Sequence, residues 1–226
     1  MRCHAESVPA PRSTRRPTGS AWPKCRAENE AFTTATGGWA VVTIENPPEH
    51  LVVGTAYTLD YAVRQHGVEL LDGLSGKVEA KSGSRVLSAD AQRVAKGKYR
   101  ATITVPTVGA WTISVNSGFG PAKTTMLPIN AVAAGTPIVV MADHERGRHL
   151  FMAKGCTTCH VDMKVIPVDV RTNKYDGEFV KKLLADPQSM PKRHRVDVEM
   201  PNLSLSNTEI AALSAYLSGP NPAGTR

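Results

Sequence analysis

Gly97-Lys98-Tyr99-Arg100-Ala101-Thr102-Ile103-Thr104-Val105 alternates apolar and polar side chains without a break. A period of two puts Tyr99, Ala101, Ile103 and Val105 on one face of an extended chain and Arg100, Thr102 and Thr104 on the other. That is the pattern of a strand with one buried and one wet face. It recurs on both sides of this stretch. Tyr57, Leu59, Tyr61 and Val63 alternate with Thr58, Asp60, Ala62 and Arg64, and Trp111, Ile113 and Val115 alternate with Thr112 and Ser114. Trp39 to Ile44, Gly76 to Ala80 and Lys123 to Val132 are further β-rich runs. Turn signals separate them: Asn46-Pro47-Pro48, Gly54, Gly67, Asp72-Gly73, Ser82-Gly83-Ser84, Gly97, Pro106 and Gly109. About seven short strands with regular turn signals predict an all-β, antiparallel sandwich of immunoglobulin type over residues 36–133. No cysteine falls in that stretch, so a core disulfide is excluded.

The periodicity changes further on. Ala133-Ala134-Gly135-Thr136-Pro137 opens a linker, 134–141, in which Ile138 to Met141 is a last strand or an extended lead-in. Asp143 is placed to cap a helix running through His149, Leu150, Phe151 and Ala153 to Lys154, with Gly155 as its stop. Tyr175 to Ala185 predicts a second helix, with Phe179, Val180, Leu183 and Leu184 on one face and Asp186-Pro187 ending it. Ser206-Asn207-Thr208-Glu209 forms a capping box before a third helix, whose Ile210, Leu213 and Leu217 share a face and which Gly219-Pro220 closes. Residues 142–219 therefore predict a second, small all-α domain, with 220–226 as a tail.

Between the first two helical patterns lies Cys156-Thr157-Thr158-Cys159-His160, the attachment pattern for a c-type haem. Two thiols can each form a thioether with the porphyrin, and the adjoining imidazole can serve as proximal iron ligand. His149 is expected on the outer face of its helix, with a place lining the haem as the alternative. A CxxC pair alone also suits a redox dithiol or half of a zinc site. A zinc site needs further thiols or imidazoles nearby, and the remaining cysteines are the distant Cys3 and Cys25. A thioredoxin-like motif would open a helix after a buried strand, whereas this one follows a helix end. The second iron ligand is expected from the loop before the last helix. Met200, in Met200-Pro201, lies 40 residues beyond His160 and is the candidate. Met190, also followed by proline, competes with it, while Met163 is too close to His160 to reach the opposite face. A backbone carbonyl of Lys164-Val165-Ile166-Pro167 is a candidate partner for the free ring nitrogen of His160.

Composition narrows the partners. The formal charge is +7 over 226 residues, spread thinly, with no basic stripe that would mark nucleic-acid binding. No stretch approaches the ~20 apolar residues needed to span a bilayer. Residues 1–35 are rich in Arg, Pro and Ser and lack an apolar signal core; they read as a disordered leader or a misassigned start. Arg15-Arg16 is a twin-arginine pair without the apolar segment that should follow. His50, His66 and Met126 offer soft ligands for copper, but in no cluster.

Two resemblances add to this. Gln65-His66-Gly67-Val68, Gly97-Lys98-Tyr99-Arg100-Ala101 and Gly109-Ala110-Trp111-Thr112-Ile113-Ser114-Val115 resemble the YtkA-like/FixH-like β-sandwich domains over roughly residues 38–132. That group is mostly accessory, and the likeness implies no catalytic residue. Gly147-Arg148-His149-Leu150-Phe151, Gly155 to His160, and Met200-Pro201-Asn202-Leu203-Ser204-Leu205-Ser206 with Glu209, Ile210, Leu213, Tyr216 and Leu217 resemble a class I monohaem cytochrome c domain over roughly 142–219. The resemblance implies one haem c, Cys156 and Cys159 as thioether anchors, His160 proximal and Met200 distal, and first and last helices packed across each other. It implies an electron carrier and not an enzyme, serving redox partner proteins or a membrane respiratory complex on the periplasmic or extracytoplasmic side of a bacterial membrane. Lys192-Arg193-His194-Arg195 is either a positive rim for an acidic partner or a solvated loop, its charge diluted by Asp197 and Glu199. Alternatives are a haem enzyme or gas or redox sensor with a displaceable Met200, and a copper-handling accessory protein without haem.

Overall fold

The structure is a computed structural model that describes residues 38–164, 175–190 and 198–219. Eleven strands come first: β1 (Ala40–Ile44), β2 (Leu51–Val52), β3 (Ala56–Gln65), β4 (Glu69–Leu70), β5 (Lys77–Ser82), β6 (Arg85–Asp90), β7 (Gln92–Ala95), β8 (Lys98–Thr104), β9 (Gly109–Asn116), β10 (Lys123–Thr125) and β11 (Ile129–Val132). One sheet runs β1-β3-β8-β7 with β4 on β3; the other runs β2-β11-β9-β5-β6 with β10 on β9. The pairing is antiparallel except for β2 against β11, which is parallel.

The period-two reading sets the core. Tyr99, Ala101, Ile103 and Val105 are buried while Arg100, Thr102 and Thr104 are exposed. In the facing register Tyr61 lies opposite Tyr99 and Leu59 opposite Ala101, and the Tyr61 and Tyr99 rings stack at 5.4 Å. Trp111, Ile113 and Val115 come in from the other sheet to the same cluster. The Trp111 indole donates to the Thr107 carbonyl at 3.0 Å, which satisfies the polar end of a fully buried ring.

Three helices follow: α1 (Asp143–Ala153), α2 (Gly177–Ala185) and α3 (Asn207–Ser218). Ala142, not Asp143, is the N-cap of α1, and its side chain makes no capping bond. Gly155 stops α1 at φ +75°, with its amide bonded to the Met152 carbonyl. Asp176 caps α2 by accepting from the Phe179 amide. Ser206 and Glu209 form the reciprocal capping box of α3. α1 and α3 cross closely at Gly147, where a side-chain carbon would collide with the Ala212 carbonyl and with Tyr216. Ile138–Met141 is extended without strand pairing.

The expected fold class needs correction. The helices do not make a separate small all-α domain of cytochrome c type. All described residues fall in one compact unit, Gly37–Arg226, which is mostly β-sheet with a few short helices. The reason is that the helices cannot close a core alone. Leu150 and Phe151 of α1 face α3, but Ala153 at its end is buried in the core of the sandwich. A side-chain carbon on Gly155 would strike the Val42 carbonyl of β1. Arg146 pairs with Glu49 at 2.7 Å, and the buried Lys154 donates to the Glu45 carbonyl at 2.9 Å.

Candidate functional site

The motif Cys156–His160 emerges directly from the αL turn at Gly155. Cys156 and Thr157 are helical, and Thr158–Asp162 forms one π-helical turn, closed by a Met163 amide to Thr158 carbonyl bond of 3.0 Å. Such turns are rare and recur at functional sites. Cys156 thus lies about one turn ahead of the adjoining Cys159 and His160 on continuous helical backbone. Both cysteines are reduced thiols, half-buried. Burial foremost, with Cys159 beside it, pushes the Cys156 thiol up to about 12; burial also raises Cys159.

Met200, from the other end of the helical segment, packs against the same apolar cluster as Cys156. A small apolar cluster is built from Leu150, Phe151, Val180, Leu184, Ile210, Ala212 and Leu213, and both Cys156 and Met200 pack at its edge. Met190 does not join it; it ends the 3-10 turn Pro187–Ser189. That turn serves Met200 instead, because Gln188 Nε2 donates to the Met200 carbonyl at 2.8 Å. Tyr175, Phe179, Leu205, Tyr216 and Leu217 are half-buried around the same cluster. Val161 and Met163, flanking His160, are exposed.

The loop after Met200 is shaped by its own side chains. Asn202 Oδ1 accepts from the Ser204 amide at 2.9 Å, and Ser204 takes φ +52°. Ser206 and Glu209 then start α3. Glu209 Oε1 lies 2.6 Å from Nζ of Lys154, whose side chain is only 4% exposed. Burial alone would raise the Glu209 carboxyl, but hydrogen bonds from Lys154 and Ser206 hold it below the usual range. Sequence reasoning placed Glu209 as a cap and missed the buried Lys154. A lysine ahead of a helix-stopping glycine reads as a solvated C-terminal cation. Gln188 carried no signal.

His149 is not on the outer face. It lines a cleft of about 250 Å³ between α1, the start of α3 and the β1–β2 loop, with Glu45, Pro48, Arg146 and Glu209. Its Nε2 is 3.3 Å from Glu145, and burial lowers its pKa. The cleft is smaller than the ~300–1,000 Å³ of ordinary ligand sites and contains none of Cys156, Cys159, His160 or Met200. The copper candidates are not gathered either. Met126 is buried in the sandwich core, and His66 lies against Trp39 in the β3–β4 turn. Among the described residues no group of three or more His, Cys, Asp or Glu is placed to hold a metal. No helix among them is long and apolar enough to cross a membrane. The Val165–Pro167 loop, Lys192–Arg195, Cys3, Cys25 and the leader and tail lie outside the described residues.

Comparison with protein-family models and with curated proteins returns no match. Among solved structures, the chain is loosely similar to the Lin-41 filamin domain: TM-score 0.35, 9% identity, covering 42% of this chain and 93% of that one. A putative glycoside hydrolase from Bacteroides vulgatus gives 0.32 at 13% identity over 43% of this chain; the match spans only 19% of the hydrolase. A superoxide reductase from Ignicoccus hospitalis gives 0.26 at 14% identity, covering 48% and 90% of the two chains. Likenesses this loose assign neither a family nor an activity.

Proposed function

We propose that the chain is a c-type electron carrier holding one covalent haem. Cys156 and Cys159 would anchor the porphyrin by thioethers, with His160 as the proximal and Met200 as the distal iron ligand. The observation that carries this reading is that Cys156 and Met200, 44 residues apart in sequence, both pack against one apolar cluster. The donor set suits the group: two thiols and an imidazole on consecutive helical turns, a soft thioether from a second element, and an apolar cluster against which Cys156 and Met200 pack. When bound, haem c supplies a one-electron Fe(III)/Fe(II) couple, and a thioether ligand raises its potential relative to a second nitrogen. His160 and Met200 would hold the iron, and the apolar side chains of Phe151, Phe179, Leu205 and Leu217 would help keep water from it.

Val161 and Met163, exposed beside His160, would offer redox proteins an apolar patch for brief docking. Covalent haem attachment in bacteria is extracytoplasmic, so the protein acts there, alone or with a respiratory complex. The test is spectroscopic. The ferric protein should show the weak red absorption of Met–sulfur ligation, and the ferrous protein should not take up carbon monoxide at modest concentration. Ready carbon monoxide binding would overturn the closed His160–Met200 site in favour of a haem enzyme or sensor.

A further inference from the structure

The loop that carries Met200 is held at both ends by the sandwich. At its start, a side-chain carbon on Gly67 would sit 3.7 Å from the Glu199 carbonyl oxygen, 3.8 Å from Pro201 Cδ and 3.7 Å from the Trp39 ring. The β3–β4 turn thus lies flush against the two residues flanking Met200. At its end, Glu209 reaches back to the Ser206 amide at 2.8 Å through Oε2 and to Lys154 at 2.6 Å through Oε1. Lys154 in turn donates to the Glu45 carbonyl just after β1. The Glu45 carboxylate pairs with Lys98 of β8 at 2.8 Å, so the chain of contacts runs from the middle of one sheet to the cap of α3. Two non-glycine residues with left-handed backbone, His66 at φ +50° and Ser204 at φ +52°, sit in the two surfaces so joined. Such conformations persist where the surroundings over-determine them, and they cluster at functional sites.

We propose that the β-sandwich is the positioning scaffold for Met200, with Lys154, Glu209 and Trp39 as its positioning residues. The proposal rests on the haem reading above. The Lys154 ammonium is held by Glu209 and the Glu45 carbonyl. It locks the end of α1, which leads into Cys156, to the start of α3, which ends the Met200 loop. The Gly67 turn, backed by Trp39, sets the other end. The sandwich is therefore the part of the molecule that keeps the distal thioether in reach, and releasing either hold frees Met200 while leaving the thioether anchors in place.

The experiment uses the full chain and two readouts. Amide hydrogen exchange is followed for residues 198–206 and, as a reference, for 99–105 in β8. In Lys154→Met the loop should exchange at least ~10-fold faster with β8 unchanged, since opening free energies are local to each region. The same variant should lose the red Met–sulfur band and gain carbon monoxide binding, with haem still attached. Lys154→Arg, which keeps the charge and the hydrogen bonds, should restore both. Loop exchange equal to wild type, or a loosened loop with the band intact, would overturn the proposal. If β8 also loses protection in Lys154→Met, Trp39→Ala at the opposite end decides by the same two readouts. If the wild-type chain carries no haem while the exchange results hold, the haem reading fails and the clamp stands.

Discussion

The two apolar cores of this molecule are built to different standards of closure. In the sandwich, Trp111, Tyr61, Tyr99, Ile44, Leu59 and Ile113 are fully buried, with strands from both sheets covering them. In the helical cluster, Leu213 is the one large side chain buried to that degree among the described residues, and Cys156, Tyr175, Phe179, Met200, Leu205, Tyr216 and Leu217 are half-covered. A closed core stabilises the fold; a half-covered one offers apolar surface to something else. The lesson is a division of labour. The sheets close a core of their own, and the helices leave apolar side chains together with Cys156 and Met200 half-covered, which is where the proposed haem would sit. Ala153, Lys154 and Gly155 join the two regions, so neither is independent.

The comparison breaks most severely at Trp111. Trp111→Ala should cost about 4 kcal/mol through lost burial and an unfilled cavity. In urea unfolding both the sandwich and the helices should lose structure in one transition, because they form one unit. Next comes Lys154→Met, which leaves Glu209 partly buried without its cation and should cost about 3 kcal/mol. Here far-UV helical signal should be lost before the sandwich signal. Coincident transitions would mean that the joint does not couple the regions. Ser206→Ala removes a cap that accepts from the Glu209 amide at 3.3 Å and should cost about 1 kcal/mol, visible as a small drop in urea midpoint at unchanged slope.

The smallest effects are in pH dependence. The Glu209 carboxyl is held low in the folded state. Its stabilisation is thus present above the ordinary glutamate value of about 4.3 and lost as pH falls through the lower folded value. Glu209→Gln should flatten the stability profile in that acidic window. His149 is also lowered, by burial. The unfolded chain takes up its proton first, near pH ~6.5, so stability falls as pH drops from there towards the folded value. His149→Gln should remove that component, measured as urea midpoint against pH. A profile between pH ~5 and ~7 identical to wild type would contradict the buried placement of His149.

Local patterns were readable because local physics fixes them. Alternation at Tyr99–Val105, the glycine stop at Gly155 and the Ser206–Glu209 capping box each follow from residues within a few positions. What escaped depends on partners far away in the chain. Lys154 is buried because Glu45 lies 109 residues before it and Glu209 comes in from α3, neither of which its neighbours announce. The same blindness hid the inward packing of His149 and the parallel β2–β11 pair. It also made three helices look self-sufficient, because their apolar stripes are visible but the area available to close them is not. The four candidate site residues were named from spacing; that Cys156 and Met200, and not Met190, share one cluster needed the coordinates.

The central claim is covalent haem on Cys156 and Cys159. The direct measurement takes the full chain made in a host able to attach haem c, denatures it fully, extracts it with acidified acetone, and reads the polypeptide by intact mass and pyridine haemochrome absorption. The account predicts one haem per chain retained after extraction in the wild type, and none in Cys156→Ser/Cys159→Ser. A wild-type chain that emerges at its bare polypeptide mass would contradict it.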